Sequence, residues 1–170
     1  MRVNVEDFFA KYGSKEYRNG LYIPEDIWAM RNECFFSGAV EMEVPDNIVD
    51  TIESNKLNQE RRDAEYNNIS THRVAGMEHE GNGDIDEAII EYAESIRLGE
   101  NAENDMFHAF GYSYTRIIVL LDKVKRYTEE IDYIEALLNH SMNEPERDKY
   151  VARLEKTKVK LEKQSKNGRV

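Results

Sequence analysis

The chain has 170 residues and a net charge of −11, with 40% hydrophobic and 34% charged residues. This length suits one domain or a short repeat array, and the composition excludes a disordered chain and a membrane-spanning protein, because no apolar run approaches roughly 18–20 residues. An acidic body disfavours direct nucleic-acid binding, the single cysteine excludes an internal disulfide, and the absence of a secretion signal predicts a cytoplasmic protein.

Residues 1–60 are predicted to form a mostly helical N-terminal region. Asn4 is a suitable N-cap for a short helix with an apolar stripe, and Gly13 is expected to end that helix. Pro24 suits the first turn of a second helix, which Gly38 is expected to end.

Two short segments of this region carry strand-like signals. Residues 16–23 contain an Asn19-Gly20 pair, which favours a small hairpin, with a plain turn as the alternative. Residues 40–44 alternate apolar and charged side chains as a strand does, but the sequence offers no strong partner strand. Pro45 then restarts a helix.

The apolar content falls sharply between residues 54 and 68. This segment is predicted to be either a linker or an exposed helix. We place the domain boundary within it, between an N-terminal region of residues 1–60 and a helical region of residues 61–170.

Helical periodicity is strong after this boundary. Residues 74–98 are predicted as two helices joined by a glycine-rich turn at residues 81–83, with Gly99 as the end. Asp84 and Glu87 stand three residues apart, which is the spacing of a capping box. Three further helices are predicted, over residues 106–121, over residues 127–138 and from Asn143 to Gln164, the last with a narrow apolar side that fits a capping helix.

An internal repeat runs through this second region. Residues 83–89 align with residues 125–131, a shift of 42, and residues 151–152 align with residues 117–118, a shift of 34. Recurrence at such distances is expected when each helix pair buries one face on its neighbour.

On these residues the chain resembles the tetratricopeptide repeat (TPR) family, whose repeat is about 34 residues long. The resemblance covers roughly residues 68–160 and is best in the first unit. The matching positions are Ala75, Gly76, Gly83, Ile85, Ala88 and Tyr92. The departures are His72, His79, Glu100, Ile118 and Glu130. The resemblance implies an all-α, TPR-like stack of antiparallel helix pairs; a different helical bundle is the alternative.

The TPR resemblance also implies where a partner would bind. The first helix of each unit would form a concave groove that binds a partner protein or peptide, without catalysis and without a cofactor. Carried onto this sequence, the groove positions are Arg73, Met77, Tyr112, Thr115, Arg116, Val119, Lys123, Lys149, Arg153 and Lys156. This mixed aromatic and basic surface suits an acidic or carboxylate-ended peptide, although the family's carboxylate clamp is not intact.

The charge distribution supports a second hypothesis. Residues 66–110 carry a net charge of −8, whereas residues 146–170 carry +5. An acidic surface of this kind can imitate nucleic-acid phosphates, so the protein would be a decoy that inhibits a nucleic-acid-binding enzyme. Such binding should weaken steeply with salt, whereas apolar groove binding should not.

Other chemistry is poorly represented in the sequence. His72 and His79 lie seven residues apart on one helical face, but they lack a third ligand and are interpreted as packing residues rather than a metal site. Cys34 is interpreted as a buried, inert thiol. The turn at residues 81–83 lacks the Lys-Ser/Thr of a phosphate-binding loop. We expect neither an enzyme nor a metalloprotein.

The N-terminal region contains a concentration of aromatic residues, namely Tyr22, Trp28, Phe35 and Phe36. The simpler interpretation is that these side chains close the hydrophobic core. The alternative is an exposed patch that docks a partner or a second copy of the chain, so a homodimer is also considered.

Overall fold

The computed structural model describes residues 1–167, most of which are helical. The α-helices are α1 (Val5–Tyr12), α2 (Glu25–Ser37), α3 (Ile48–Asn82), α4 (Ile85–Glu100), α5 (Phe107–Lys123), α6 (Tyr127–Leu138) and α7 (Glu144–Asn167). The other regular elements are a 3₁₀ segment (Lys15–Gly20) and the strands β1 (Arg2–Asn4) and β2 (Glu41–Glu43). The predicted all-α class is therefore confirmed. None of the helices described is long and apolar enough to cross a membrane.

The chain divides into two compact units, Met1–Asp63 and Ala64–Val170. The division falls inside α3, three residues from the boundary expected at residue 60. Each unit has a hydrophobic core of its own.

The first unit buries aromatic and aliphatic side chains from α1, α2 and the start of α3. Asn4 caps α1 as expected, because its side-chain oxygen accepts a hydrogen bond of 3.0 Å from the Asp7 backbone N–H. The strand predicted at residues 40–44 is present as β2, and its partner is β1, which pairs antiparallel with Val3 opposite Met42. The sequence did not indicate this pairing, because the two strands lie far apart along the chain.

The hairpin predicted at residues 16–23 is wrong. A 3₁₀ segment occupies Lys15–Gly20, in which Asn19 and Gly20 take left-handed conformations with φ of 54° and 86°. Tyr17 and Tyr22 are both buried in the core of this unit. Burying both rings stabilises a compact turn more than the few hydrogen bonds of an isolated hairpin would.

The sparse segment at residues 54–68 is an exposed helix rather than a linker, because α3 continues through it without a break. Most of its side chains are exposed or half-buried. Polar residues with good helix propensity are sufficient there, so the segment lacks the apolar periodicity by which buried helices are detected.

In the second unit, α4 packs against α5, α5 against α6, and α6 against α7. Their shared core contains fully buried apolar side chains from α4, α5 and α6, and α7 contributes the nearly buried Tyr150 and Leu154. Gly99 was predicted to end α4, but the helix includes it and Gly99 packs against the ring of Phe110. A Cβ atom at Gly99 would lie 2.5 Å from Phe110 Cγ, so the glycine is needed for close packing.

The turns before α4 and α6 are built alike. Gly83 and Lys125, which lie 42 residues apart, both have left-handed backbones, with φ of 88° and 60°. Two backbone hydrogen bonds recur with the same shift: Gly83 to Glu80 recurs as Lys125 to Asp122, both 3.1 Å, and Asp84 to His79 recurs as Arg126 to Leu121, both 2.9 Å. The two turns are therefore equivalent in backbone structure.

The small residues of the first predicted helix pair behave differently from one another. A Cβ atom at Gly76 would lie 2.7 Å from Tyr92 Cδ1, and Ala88 is fully buried, so both serve close packing. Ala75 instead lines a shallow surface pocket. The capping box is wrong: the Asp84 side chain makes no capping hydrogen bond and lies 3.7 Å from His79 Nδ1.

Candidate partner-binding groove

Helix α5 has one buried face and one exposed face. Its buried face includes Tyr114, Ile117 and Leu121, which fill the core of the second unit. On the exposed face, Tyr112 and Val119 keep 45% and 39% of their surface accessible. Spacings of three, four and seven residues align the five predicted groove positions of α5 along this face, namely Tyr112, Thr115, Arg116, Val119 and Lys123.

An ion pair joins α5 to the C-terminal part of α3. Both nitrogens Nε and Nη2 of Arg116 donate to the Glu80 carboxylate, with Nε 3.1 Å from Oε2. The same oxygen accepts a hydrogen bond of 3.0 Å from the hydroxyl of the buried Tyr92. The Arg116 guanidinium lowers the pKa of Glu80, while partial burial opposes this shift. Arg116 is thus already engaged within the protein.

A pocket of about 300 Å³ opens beside this ion pair. It brings together three of the predicted groove residues, Met77, Tyr112 and Arg116, with Glu80 and Tyr92. Met77 is 48% exposed, so an apolar side chain is available at the mouth of the pocket.

A second pocket, of about 350 Å³, lies on the other side of Tyr112. Tyr112 and Thr115 line it from α5, whereas Glu146 and Tyr150 line it from α7. The rest of its wall consists of Phe107, His108, Gly111, Leu137, Ser141 and Met142. Tyr112 therefore lines both pockets.

Arg153 joins α7 to α5 and α6 through hydrogen bonds. Its Nε donates to Glu130 Oε1 at 2.8 Å, and its Nη2 donates to the Ile118 carbonyl at 3.1 Å. Glu130 is fully buried, and its other carboxylate oxygen has no hydrogen-bond partner among the described residues. Lys160 also contacts Asp122 of α5. Arg153 thus compensates a buried carboxylate and is not available to a ligand.

The remaining predicted cations are more accessible. Lys149 and Lys156 are exposed on α7, and Arg153 lies between them in sequence at helical spacing, so both share its side of the helix. Lys123 is exposed at the end of α5, whereas Arg73 is half-buried on α3. Within residues 1–167, none of the three lysines forms an ion pair.

Several acidic side chains of the segment from residue 78 to residue 105 have partners inside the protein. Glu94 pairs with Arg97 at 2.6 Å, and Glu91 lies 2.7 Å from His72 Nδ1. Glu100 accepts from the Tyr114 hydroxyl at 2.6 Å and lies 2.7 Å from His140 Nε2. These carboxylates, like Glu80, are held by neighbouring side chains.

Sequence reasoning assigned no role to Glu80 or Glu130, which bind two of the three predicted groove arginines, Arg116 and Arg153. Only Glu130 had a signal in the sequence: it lies 42 residues after the buried Ala88, at a position where a small residue was expected. In the part of the chain that the structure describes, no group of three or more His, Cys, Asp or Glu side chains is arranged to hold a metal ion.

No protein-family model matches the chain, and neither the curated proteins nor the solved structures contain a match. Its function has to be inferred from its own residues and their geometry.

Proposed function

We propose that the second unit is a TPR-like stack of helix pairs and that it binds a protein or peptide segment, without catalysis, across the exposed face of α5. The observation that carries this proposal is the arrangement around Tyr112. Met77 and Tyr112 line one pocket, Tyr112 also lines a second, and Val119 is exposed on the same face of α5 as Tyr112. Exposed apolar side chains beside pre-formed pockets are typical of recognition surfaces.

The equivalence of the two interhelical turns supports the repeat. Turns at Gly83 and Lys125 share their backbone conformation and hydrogen bonds with a shift of 42, as the alignment of the sequence requires. The close approach of Gly76 to Tyr92 and the burial of Ala88 agree with the small positions of the first unit. At Glu130 the chain departs from the pattern, and Arg153 compensates for it.

The cations without an ion pair define the class of ligand. Lys123 is exposed on the same face of α5 as Tyr112 and Val119, and Lys149 and Lys156 are exposed on α7, so a matching segment has an apolar or aromatic anchor and carboxylates. Because Arg116 and Arg153 already bind Glu80 and Glu130, the lysines are the groups left to attract these carboxylates. Lysine and carboxylate on an exposed surface contribute mainly to orientation and association rate, and the anchor contributes most of the affinity.

The decoy hypothesis is the less favoured alternative. A phosphate mimic needs carboxylates that are free to face basic side chains, whereas Glu80, Glu91, Glu94 and Glu100 contact partners within the chain. Binding through the α5 face should change little with salt, because its main term is apolar.

The proposal is tested with a peptide library displayed against the full chain, followed by affinity measurements on the selected peptides. Val119→Ser removes an exposed anchor contact and should weaken binding by about tenfold. Lys156→Glu reverses an accessible charge and should mainly lower the association rate. Ile90→Ser is the matched control, because Ile90 is 65% exposed on α4 and lines neither pocket. Selected peptides that bind both groove variants as tightly as the control would refute this site.

A further inference from the structure

Two large aromatic side chains in the first unit are almost fully exposed. Tyr22 is buried and Trp28 packs against the core, but Phe35 and Phe36 near the end of α2 are 82% and 86% exposed. Their ring centroids lie 5.7 Å apart in a T-shaped arrangement, which is a favourable contact between aromatic rings. Adjacent exposed rings of this size are typical of an interaction surface.

A groove of about 780 Å³ lies next to this pair. Its apolar wall includes Val5, Phe9, Ala10 and Val40, and Phe35 forms part of its rim. Phe36 is not part of the lining and extends outside it. An exposed ring and a groove with an apolar wall are therefore neighbours on one surface.

The groove also carries one positive and one negative side chain, Arg31 and Glu6. The Arg31 guanidinium lies 4.9 Å from the Phe9 ring centroid and 5.3 Å from that of Trp28, so it is held in place by stacking. In the described chain, neither Arg31 nor Glu6 forms an ion pair. Two opposite charges thus stand at the groove without a partner of their own.

We propose that this surface binds a second copy of the chain in a two-fold symmetric dimer, in which Phe36 of each protomer enters the groove of the other. A two-fold interface brings the same patch of both subunits together, so the patch has to complement itself. This patch does so twice: it has both the ring and the groove, and both charges, so that Arg31 can face the partner's Glu6.

The size of the patch indicates a weak dimer. Each phenylalanine side chain buries roughly 150 Å², so the two pairs contribute about 600 Å², which is half of the roughly 1,200 Å² of a small stable interface. The net charge of −11 on each chain opposes association at long range. Salt screens this repulsion, and exposed ion pairs such as Arg31 with the partner's Glu6 contribute little, so we expect dimerisation to increase with ionic strength.

The test is sedimentation velocity on the full chain at concentrations up to about 500 µM, at low and at high salt. The wild-type protein should form dimers within this range, more strongly at high salt. Phe36→Ala removes the protruding ring and Ala10→Glu obstructs the groove on an exposed position of α1, so each variant should dimerise at least about tenfold more weakly. Ile90→Ala, which removes an exposed side chain from the other unit, should behave as the wild type.

Mixing the two variants separates this arrangement from general stickiness. Phe36→Ala keeps its groove and Ala10→Glu keeps its ring, so a mixed pair regains one of the two contacts that both homodimers lack. The mixture should therefore associate more strongly than either variant alone. A wild type that stays monomeric, variants that dimerise as the wild type does, or a mixture that gains nothing would each overturn the proposal, as would a loss of dimers in Ile90→Ala.

Discussion

Replacing Gly76 with alanine tests the closest helix packing of the second unit. A Cβ atom at Gly76 would lie 2.7, 2.8 and 3.0 Å from three ring carbons of Tyr92, where ordinary contacts begin at 3.4 Å. Tyr92 cannot yield easily, because it is fully buried and its hydroxyl donates to Glu80. Overpacking of this kind costs about 1–3 kcal/mol, whereas alanine gains about 0.8–1 kcal/mol over glycine inside a helix.

The matched control is Gly81→Ala, five residues further along α3. An added Cβ at Gly81 meets nothing within 4 Å, so this variant keeps most of the gain in helix propensity without a clash. Urea unfolding followed by far-UV circular dichroism should therefore place the Gly76→Ala variant about 1–3 kcal/mol below the Gly81→Ala variant. Equal stability of the two variants would show that Tyr92 does not pack against Gly76 as described.

Three further changes probe the same unit. Arg153→Ala should lower the free energy of unfolding in urea by about 3 kcal/mol, because it leaves the Glu130 carboxylate buried without a cation. Adding Glu130→Ala should recover most of this loss, and a double variant as unstable as the single one would contradict the pairing. Glu80 has a lowered pKa in the folded state, so its contribution to the free energy of unfolding is complete above the ordinary value of 4.5 and is lost as the pH falls through the folded pKa. Glu80→Gln should therefore flatten the dependence of stability on pH in that acid range. An unchanged slope would count against the ion pair. Lys125→Gly should stabilise the protein by up to about 1 kcal/mol in thermal melts, because φ is 60° at Lys125, whereas Gly83→Ala at the equivalent turn should destabilise it.

Periodic apolar residues were sufficient to predict the helices of the second unit. The apolar stripes of α4, α5 and α6 are long and regular, and the residues that form them are buried or half-buried. Helix α3 was harder, because its exposed middle has little apolar content. The pairing of β1 with β2 could not be foreseen, since no local pattern connects residues 2–4 with residues 41–43.

The candidate groove was predicted only in part, and for an equally physical reason. The TPR resemblance placed Tyr112 and Val119 among the groove positions, and both lie on the exposed face of α5. Whether an arginine is free depends instead on which side chains of other helices reach it. Arg116 and Arg153 meet Glu80 and Glu130, which are 36 and 23 residues away along the chain.

The last helix has a consequence for how the protein opens. Helix α7 buries few side chains, chiefly Tyr150, Leu154 and Thr157, and much of its remaining length faces solvent. Its amide protons should therefore exchange through partial detachment well before those of α5, whose core side chains release only on global unfolding. Such a detached state would briefly expose the residues that α7 covers, including Ile118 and Glu130. A protease could then cleave the detached helix, or another helix could bind in its place.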